Sequence, residues 1–240
     1  RVNTSDGNIP ADVYYADLQW SWDGDGDNVF GEAGDDTVDL YYDLFIGRAS
    51  VDNLSEVSTF VSKVLRHEQN PPTDYLRRAL LVDAELWTGY QHRQSNDSIA
   101  AITPSGWSDV FFHDPVTMTA VRDSLNHGFQ LCHLVGHGND VGIYNGGTRY
   151  YGTSVTSGHT NGPRVNLMNS IACYSGNYEY SDCVAEAAHN VGTGGSVATI
   201  LNSRYGWGTP PNIGPSEKLD IRFYDHFFRH DSLTIGAIHA

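Results

Sequence analysis

The chain is poor in positive charge and in cysteine, and it has no long apolar run. Its 14 Lys and Arg residues stand against 29 Asp and Glu, a formal net charge of −15. That balance excludes a nucleic-acid binder, which needs a basic face. Three cysteines cannot build a disulfide framework, and their odd number leaves at least one thiol free. No apolar stretch approaches the ~20 residues of a membrane-spanning helix. No signal peptide is visible at the N-terminus, as is also expected of a mature or trimmed chain. Also lacking are a Gly-x-Ser-x-Gly nucleophile elbow and a phosphate-binding glycine loop ending in Lys-Ser or Lys-Thr.

What is there describes a globular protein. With 40% apolar and 12% aromatic residues, 240 positions suffice for one generous domain, or two small subdomains sharing a sheet. Apolar runs at 11–20, 40–46, 79–82, 129–135, 165–172 and 196–201 read as strands. Between them lie helical patterns. Asn53 with Glu56 makes a capping box, followed by a stripe of Leu54, Val57, Phe60, Val61, Val64 and Leu65. A second helix starts at Asp114-Pro115, runs from Thr117 to Asn126 and closes at Gly128. A third is capped by Asp182 and reaches Asn190; a fourth, capped by Ser216, carries Leu219, Phe223, Phe227 and Phe228. The chain ends in the start of another helix. Residues 87–110 and 139–164 read as long loops. Strands alternating with helices predict an α/β fold, a mostly parallel sheet with helices on both faces.

Two strand ends carry the chemistry. Phe129 to Val135 runs into Gly136-His137-Gly138, and Val165 to Ala172 runs into Cys173-Tyr174-Ser175-Gly176. Ligands of open α/β sheets bind at the carboxyl ends of strands, so neighbouring strands would set His137 and Cys173 across one cleft. There a Cys173 thiolate attacks a carbonyl, and the backbone amides of Gly138 and Cys173 hold the oxyanion. His137 protonates the leaving group and then activates water. Taken alone, a cysteine is more often a small buried hydrophobe. Cys132, inside an apolar strand, and Cys183, on a helix, are read that way. His133 and His137, about 13 Å apart on a strand, cannot share zinc.

The segments Leu134-Val135-Gly136-His137-Gly138 and Ile171-Ala172-Cys173-Tyr174-Ser175-Gly176-Asn177 resemble the gingipain family of cysteine peptidases, whose catalytic domain is caspase-like. The likeness continues through Asp182-Cys183-Val184-Ala185-Glu186-Ala187, Gly195 to Ile200, and Asp43 to Arg48, covering most of residues 11–230. It implies a Cys-His dyad oriented by Glu85, and a substrate side-chain pocket walled by Trp207. Taken alone, Glu85 would be a surface acid and Trp207 a core residue. It also implies a piece of a longer precursor, with about 1–75 ending a first subdomain and about 76–240 forming the catalytic one. Residues 87–110 align poorly with the stretch that gives gingipains their basic-residue specificity.

One further segment bears on function. Asp23, Asp25 and Asp27 alternate with glycines and lead to Glu32, Asp35 and Asp36. Carboxylates so spaced can surround Ca²⁺, which wants six to eight oxygens. Asn28 stands where an EF-hand glycine belongs, and no Glu occupies the twelfth position. The plain alternative is a solvated acidic turn. The resulting expectation is a secreted or cell-surface, calcium-stabilised cysteine endopeptidase with protein or peptide substrates and no organic cofactor. The rival is a non-catalytic calcium-binding module of a larger surface protein.

Overall fold

The computed structural model describes residues 2–4, 7–39, 41–91, 93–113, 116–229 and 234–239. They divide into two compact units, Arg1–Ala49 with Arg229–Ala240, and Ser50–Phe228. The break anticipated near residue 75 thus falls inside the larger unit.

The smaller unit opens with an antiparallel hairpin, β1 (Val2–Thr4) and β2 (Gly7–Ile9). Next comes a single helical turn, α1 (Val13–Ala16), where a strand over 11–20 was expected. The alternation there is overridden by Asp17. Its carboxylate accepts from the Gln19 and Trp20 amides at 3.0 and 3.2 Å and from the Trp22 indole at 2.9 Å, curling the chain instead of extending it. The strand expected over 40–46 also does not form among the described residues, which exclude Leu40. Asp43 and Leu44 instead donate their amides to the Ala16 carbonyl.

In the larger unit, α2 (Leu54–Gln69) starts at the expected N-cap, but Glu56 reaches past the Asn53 backbone amide, so the reciprocal half of the box is not made. The Asn53 side chain accepts from the Ser55 and Glu56 amides, and Glu56 accepts from the Asp52 amide at 2.7 Å. Its packing is not as expected. Leu54, Val57, Val61 and Leu65 are exposed, whereas Lys63 is buried and Phe60 rests on His189 with ring centroids 5.1 Å apart.

Then follow β3 (Arg78–Val82), a small hairpin of β4 (Glu85–Trp87) and β5 (Tyr90–Gln91), α3 (Arg93–Ile102) and β6 (Ser108–Phe112). The last four lie mostly in what reads as a loop over 87–110. Polar residues of α3 hid it: Ser95 and Asn96 are buried, and Asn96 is held there by the polar side chains of Asp83 and His133. Next is α4 (Met118–Asn126), with Thr117 as its N-cap. The proposed start at Asp114-Pro115 lies outside the described residues.

β7 (Leu131–Leu134) leads to an antiparallel meander, β8 (His137–Asn139), β9 (Gly142–Asn145) and β10 (Thr148–Gly152), and then α5 (Thr153–Thr156). This meander replaces the loop expected over 139–164. The chain continues with β11 (Asn166–Ser170), α6 (Val184–Asn190), β12 (Ser196–Leu201) and α7 (Pro215–Arg229). A last helix, α8 (Ile235–His239), belongs to the smaller unit. α6 is capped by Cys183, not Asp182, with the Cys183 amide donating to Glu186 at 3.0 Å. α7 begins at Pro215, and the Ser216 hydroxyl accepts from Trp207 N–H at 2.8 Å instead of capping the helix.

The central sheet is parallel, in the order β12-β11-β7-β3-β6. Its register sets five strand ends in one row, Leu201, Ser170, Leu134, Val82 and Phe112. One face packs Leu80, Cys132, Leu134 and Met168 against Val121 and Leu125 of α4 and Val184 and Ala188 of α6. The other face is polar at its centre. His133, fully buried, pairs with Asn96 of α3 at 2.6 Å and Asp220 of α7 at 2.8 Å. Helices therefore cover both faces, as the sequence predicts.

Candidate active site

Because Leu134 and Ser170 are register partners, their chains leave adjacent strands side by side. Three residues on from each come His137 and Cys173. His137 is exposed and Cys173 half-buried. The glycine at 138 is a steric necessity. A Cβ there would lie 2.4 Å from the Cys173 carbonyl oxygen and 2.7 Å from its amide nitrogen. The backbones of the two segments thus lie against each other, and the Gly138 and Cys173 amides sit together. Asp140 ties the segments further. Its carboxylate accepts from Asn177 at 2.7 Å, and its carbonyl accepts the Val184 amide at the start of α6 at 2.9 Å.

The turn after the thiol is tight. Tyr174 adopts a positive φ of 58°, an uncommon conformation for a bulky residue and one that clusters at functional turns. The chain 202–206 runs beside it, with Tyr174 N–H donating to the Arg204 carbonyl and Gly176 N–H to that of Asn202. This neighbour brings Gly206 N–H to 3.3 Å from Cys173 Sγ, a donor aimed at the sulfur. The other two cysteines are unsuited to nucleophilic work. Burial raises the Cys132 thiol far above its ordinary range and pushes Cys183 up to about 12.

His137 is held differently from expectation. Its Nε2 donates to the Leu86 carbonyl at 2.5 Å, and the Trp87 ring stands edge-on to it with centroids 6.1 Å apart. A carbonyl only accepts, so Nε2 carries the hydrogen and Nδ1 is left as the basic nitrogen. The Glu85 carboxylate makes no hydrogen bond to the ring. It accepts Gly89 N–H at 2.6 Å, closing the β4–β5 turn, while its own amide donates to Asn145. Glu85 thus lies one residue from the group that orients His137. Successive residues of an extended chain point opposite ways, so the hairpin that offers the Leu86 carbonyl to the ring turns the acid aside.

Trp207 is 60% exposed and so is not a core residue. It follows Gly206 directly, and with Tyr205 and Tyr174 forms an aromatic ridge beside the thiol. Centroids are 6.4 Å apart for Tyr205–Trp207 and 5.0 Å for Tyr174–Tyr205. Leu86 and Gly206 act through backbone atoms, and no sequence pattern could have announced them.

In the smaller unit, ligand atoms of Asp23, Asp25 and Asp27 lie within 4.8 Å of one another. Glu32 is outside that group. Asp36 instead braces the loop, its carboxylate accepting the Gly24 and Glu32 amides at 2.6 and 2.9 Å, which lowers its proton affinity. The three clustered carboxylates offer only oxygen, a donor set suited to a hard cation.

Comparison with known proteins agrees with this geometry. The family model described as peptidase family C25 matches residues 2–240. Gingipain R2 of Porphyromonas gingivalis is 27% identical over 218 residues, covering 83% of this chain and 28% of that protein. Gingipain R1 of the same organism is 27% identical over 218 residues, which make up 83% of this chain but 21% of the relative. The chain thus spans less than a third of the length of these relatives. Among solved structures, that of the Arg-specific cysteine proteinase gingipain R superposes with a TM-score of 0.74 at 22% identity. The match covers 96% of this chain and 52% of that one, and shows the caspase-like fold. The chain belongs to peptidase family C25.

Proposed function

We propose that this chain is the catalytic part of a cysteine endopeptidase, with Cys173 as nucleophile and His137 as general acid and base. The carrying observation is the β7–β11 register, which delivers both residues to one sheet edge with the Gly138 backbone seated on that of Cys173. In the first step the Cys173 proton passes to His137 Nδ1. Sulfur bonds to the peptide carbonyl carbon, and the charge moves onto oxygen beside the Gly138 and Cys173 amides. Such donors contribute roughly 3 kcal/mol each. Gly206 N–H stabilises the thiolate before attack. His137 then gives its proton to the leaving amine, releasing it and leaving a thioester. Water, losing a proton to His137, adds to the thioester, and the acid departs as Cys173 recovers its proton. The Leu86 carbonyl keeps the ring in the working tautomer throughout.

Retention of both reacting residues at one edge argues for the enzyme over the non-catalytic module. The test is alkylation with iodoacetamide. Cys173 should be modified first and activity lost in step. Full activity in Cys173→Ala would remove the mechanism. Substrates are proteins or peptides, with the Tyr205–Trp207 ridge receiving the side chain before the cut.

Asp23, Asp25 and Asp27 are proposed to hold a Ca²⁺ ion, which when bound offsets their mutual repulsion and fixes the loop. A ligand binding only the folded state adds ~2.7 kcal/mol at a hundredfold excess over Kd. EDTA should therefore lower the melting temperature. An identical melting curve with and without EDTA leaves only a solvated turn. A secreted or surface location, and further domains of the same precursor, complete the reading. The acidic, oxygen-rich loop supports the first, and the short coverage of the relatives supports the second.

A further inference from the structure

At the amino edge of the sheet, away from His137 and Cys173, α2 lies over the chain that enters β11 and β12. Between them is a cleft of about 280 Å³, lined among others by Ser55, Thr59, Ser62, Lys63, Arg66 and Gly192. Ser55, Thr59, Ser62 and Arg66 recur at intervals of four, three and four, one face of the helix. Among the described residues, the hydroxyls of Ser55, Thr59 and Ser62 and the Arg66 guanidinium have no hydrogen-bond or ion-pair partner.

Lys63 is the buried member, at 8% exposure. Its ammonium donates to the His189 carbonyl at 2.6 Å and, at 3.4 Å, to that of Ser196. An ammonium has three hydrogens, and no carboxylate is among its partners. Burying a cation without a counter-ion is costly, and this burial pushes its amine down to about 8. Acidic residues outnumber basic ones by 29 to 14 in this chain, so carboxylates were plentiful. Two cations nevertheless share one cleft without one.

We propose that this cleft binds a tetrahedral oxyanion, a phosphate or sulfate group, between Lys63 and Arg66. The hydroxyls of Thr59 and Ser62, each within a turn or two of both cations on α2, reach its oxygens. Donors on successive turns of one helix, two cations and two hydroxyls, suit oxygens that point in several directions, whereas a carboxylate would use one planar fork. The bound anion supplies the counter-charge that Lys63 lacks. The site is independent of the peptidase reading.

The test is calorimetric titration of the protein with sodium phosphate and with sodium sulfate at pH 7, against sodium chloride at matched ionic strength. One saturable site per chain is expected for the oxyanions and none for chloride. Arg66→Gln, an exposed change that keeps the fold, should weaken binding about ten- to a hundredfold, the loss of a charged hydrogen-bonding partner. Lys63→Met should abolish it. Peptidase activity in Arg66→Gln should equal that of the wild type. A sulfated polysaccharide that displaces phosphate marks a polymer-borne group; failure to displace it marks a free ion. Phosphate heats no larger than those of chloride, or wild-type affinity in Arg66→Gln, would overturn the proposal.

Discussion

The two edges of the central sheet are built from different materials. The carboxyl edge works largely through backbone. Gly138 and Cys173 offer amides, Leu86 a carbonyl and Gly206 an N–H to sulfur, with only His137 and the thiol proposed as reacting side chains. The amino edge works through side chains, the cations Lys63 and Arg66 and the hydroxyls of α2. The difference shows in tolerance to change. Backbone donors cannot be deleted by substitution, but they are displaced by any group that alters the close approach of two segments. Side-chain donors are removed one at a time, with little effect on their neighbours.

The sharpest way to break the carboxyl edge is Gly138→Ala. The new Cβ would meet Cys173 backbone atoms at 2.4 and 2.7 Å, so the nucleophile must move. Misplacement by about an ångström costs roughly a hundredfold in rate. We expect kcat to fall by about that much while iodoacetamide still labels Cys173. Wild-type kcat would show that the two backbones are not held together during catalysis.

A smaller effect is expected from Glu85. Its carboxylate holds the Gly89 amide and not the imidazole, so Glu85→Gln, which keeps an accepting oxygen, should be near wild type. Glu85→Ala should loosen the β4–β5 turn, and with it the Leu86 carbonyl, slowing turnover by less than about tenfold, well short of the hundredfold of a positional error at the thiol. A loss in Glu85→Gln matching that of His137→Ala would instead restore the carboxylate as the orienting group.

The mildest probe acts at the amino edge through pH. His159 and His189 are both lowered to about 4, chiefly by burial and then by the charge of Lys63. A histidine whose folded-state value lies below its ordinary 6.5 is neutral when folded and charged when unfolded between those pH values. The unfolded state then binds more protons, so stability is present above pH 6.5 and is lost as pH falls toward 4. For His189 the loss at pH 4.5 is roughly 2 to 3 kcal/mol. Urea midpoints at pH 7.5 and 4.5 should therefore converge in His189→Gln relative to the wild type. An unchanged difference would mean that His189 takes up its proton without unfolding.

Long-range consequences of the sequence were legible where one residue type has one use. The helices α2 and α7 follow from periodicity and α4 and α6 from signals at their ends, and Asn53 caps α2. The strand β3 is apolar on both sides because both faces of the sheet are covered, whereas β7 and β11 bury His133, Asn166 and Asn169 as well. What was misread shares another cause. The helix α3 buries Asn96 against His133 and Asp83, partners distant in sequence, so its polar face looks like a loop. The meander from β8 to β10 is rich in glycine and asparagine, so its composition reads as a loop although its backbone pairs as a three-stranded sheet.

The sequence alone singled out the proposed reacting residues, a thiol after an apolar strand and a histidine between two glycines. It also determined the parallel sheet, because periodicity and apolar runs are local properties that burial acts on directly. Tertiary structure decided which atoms assist them. The Leu86 carbonyl took the place expected for Glu85, and Gly206 reached the sulfur, because backbone groups are the same at every position and only the fold selects which of them point at the site. It also decided the fate of α2, whose apolar stripe looks outward while Lys63 turns in. Hydrophobic spacing says that a helix has a face, but not which neighbour the sheet will bring to it.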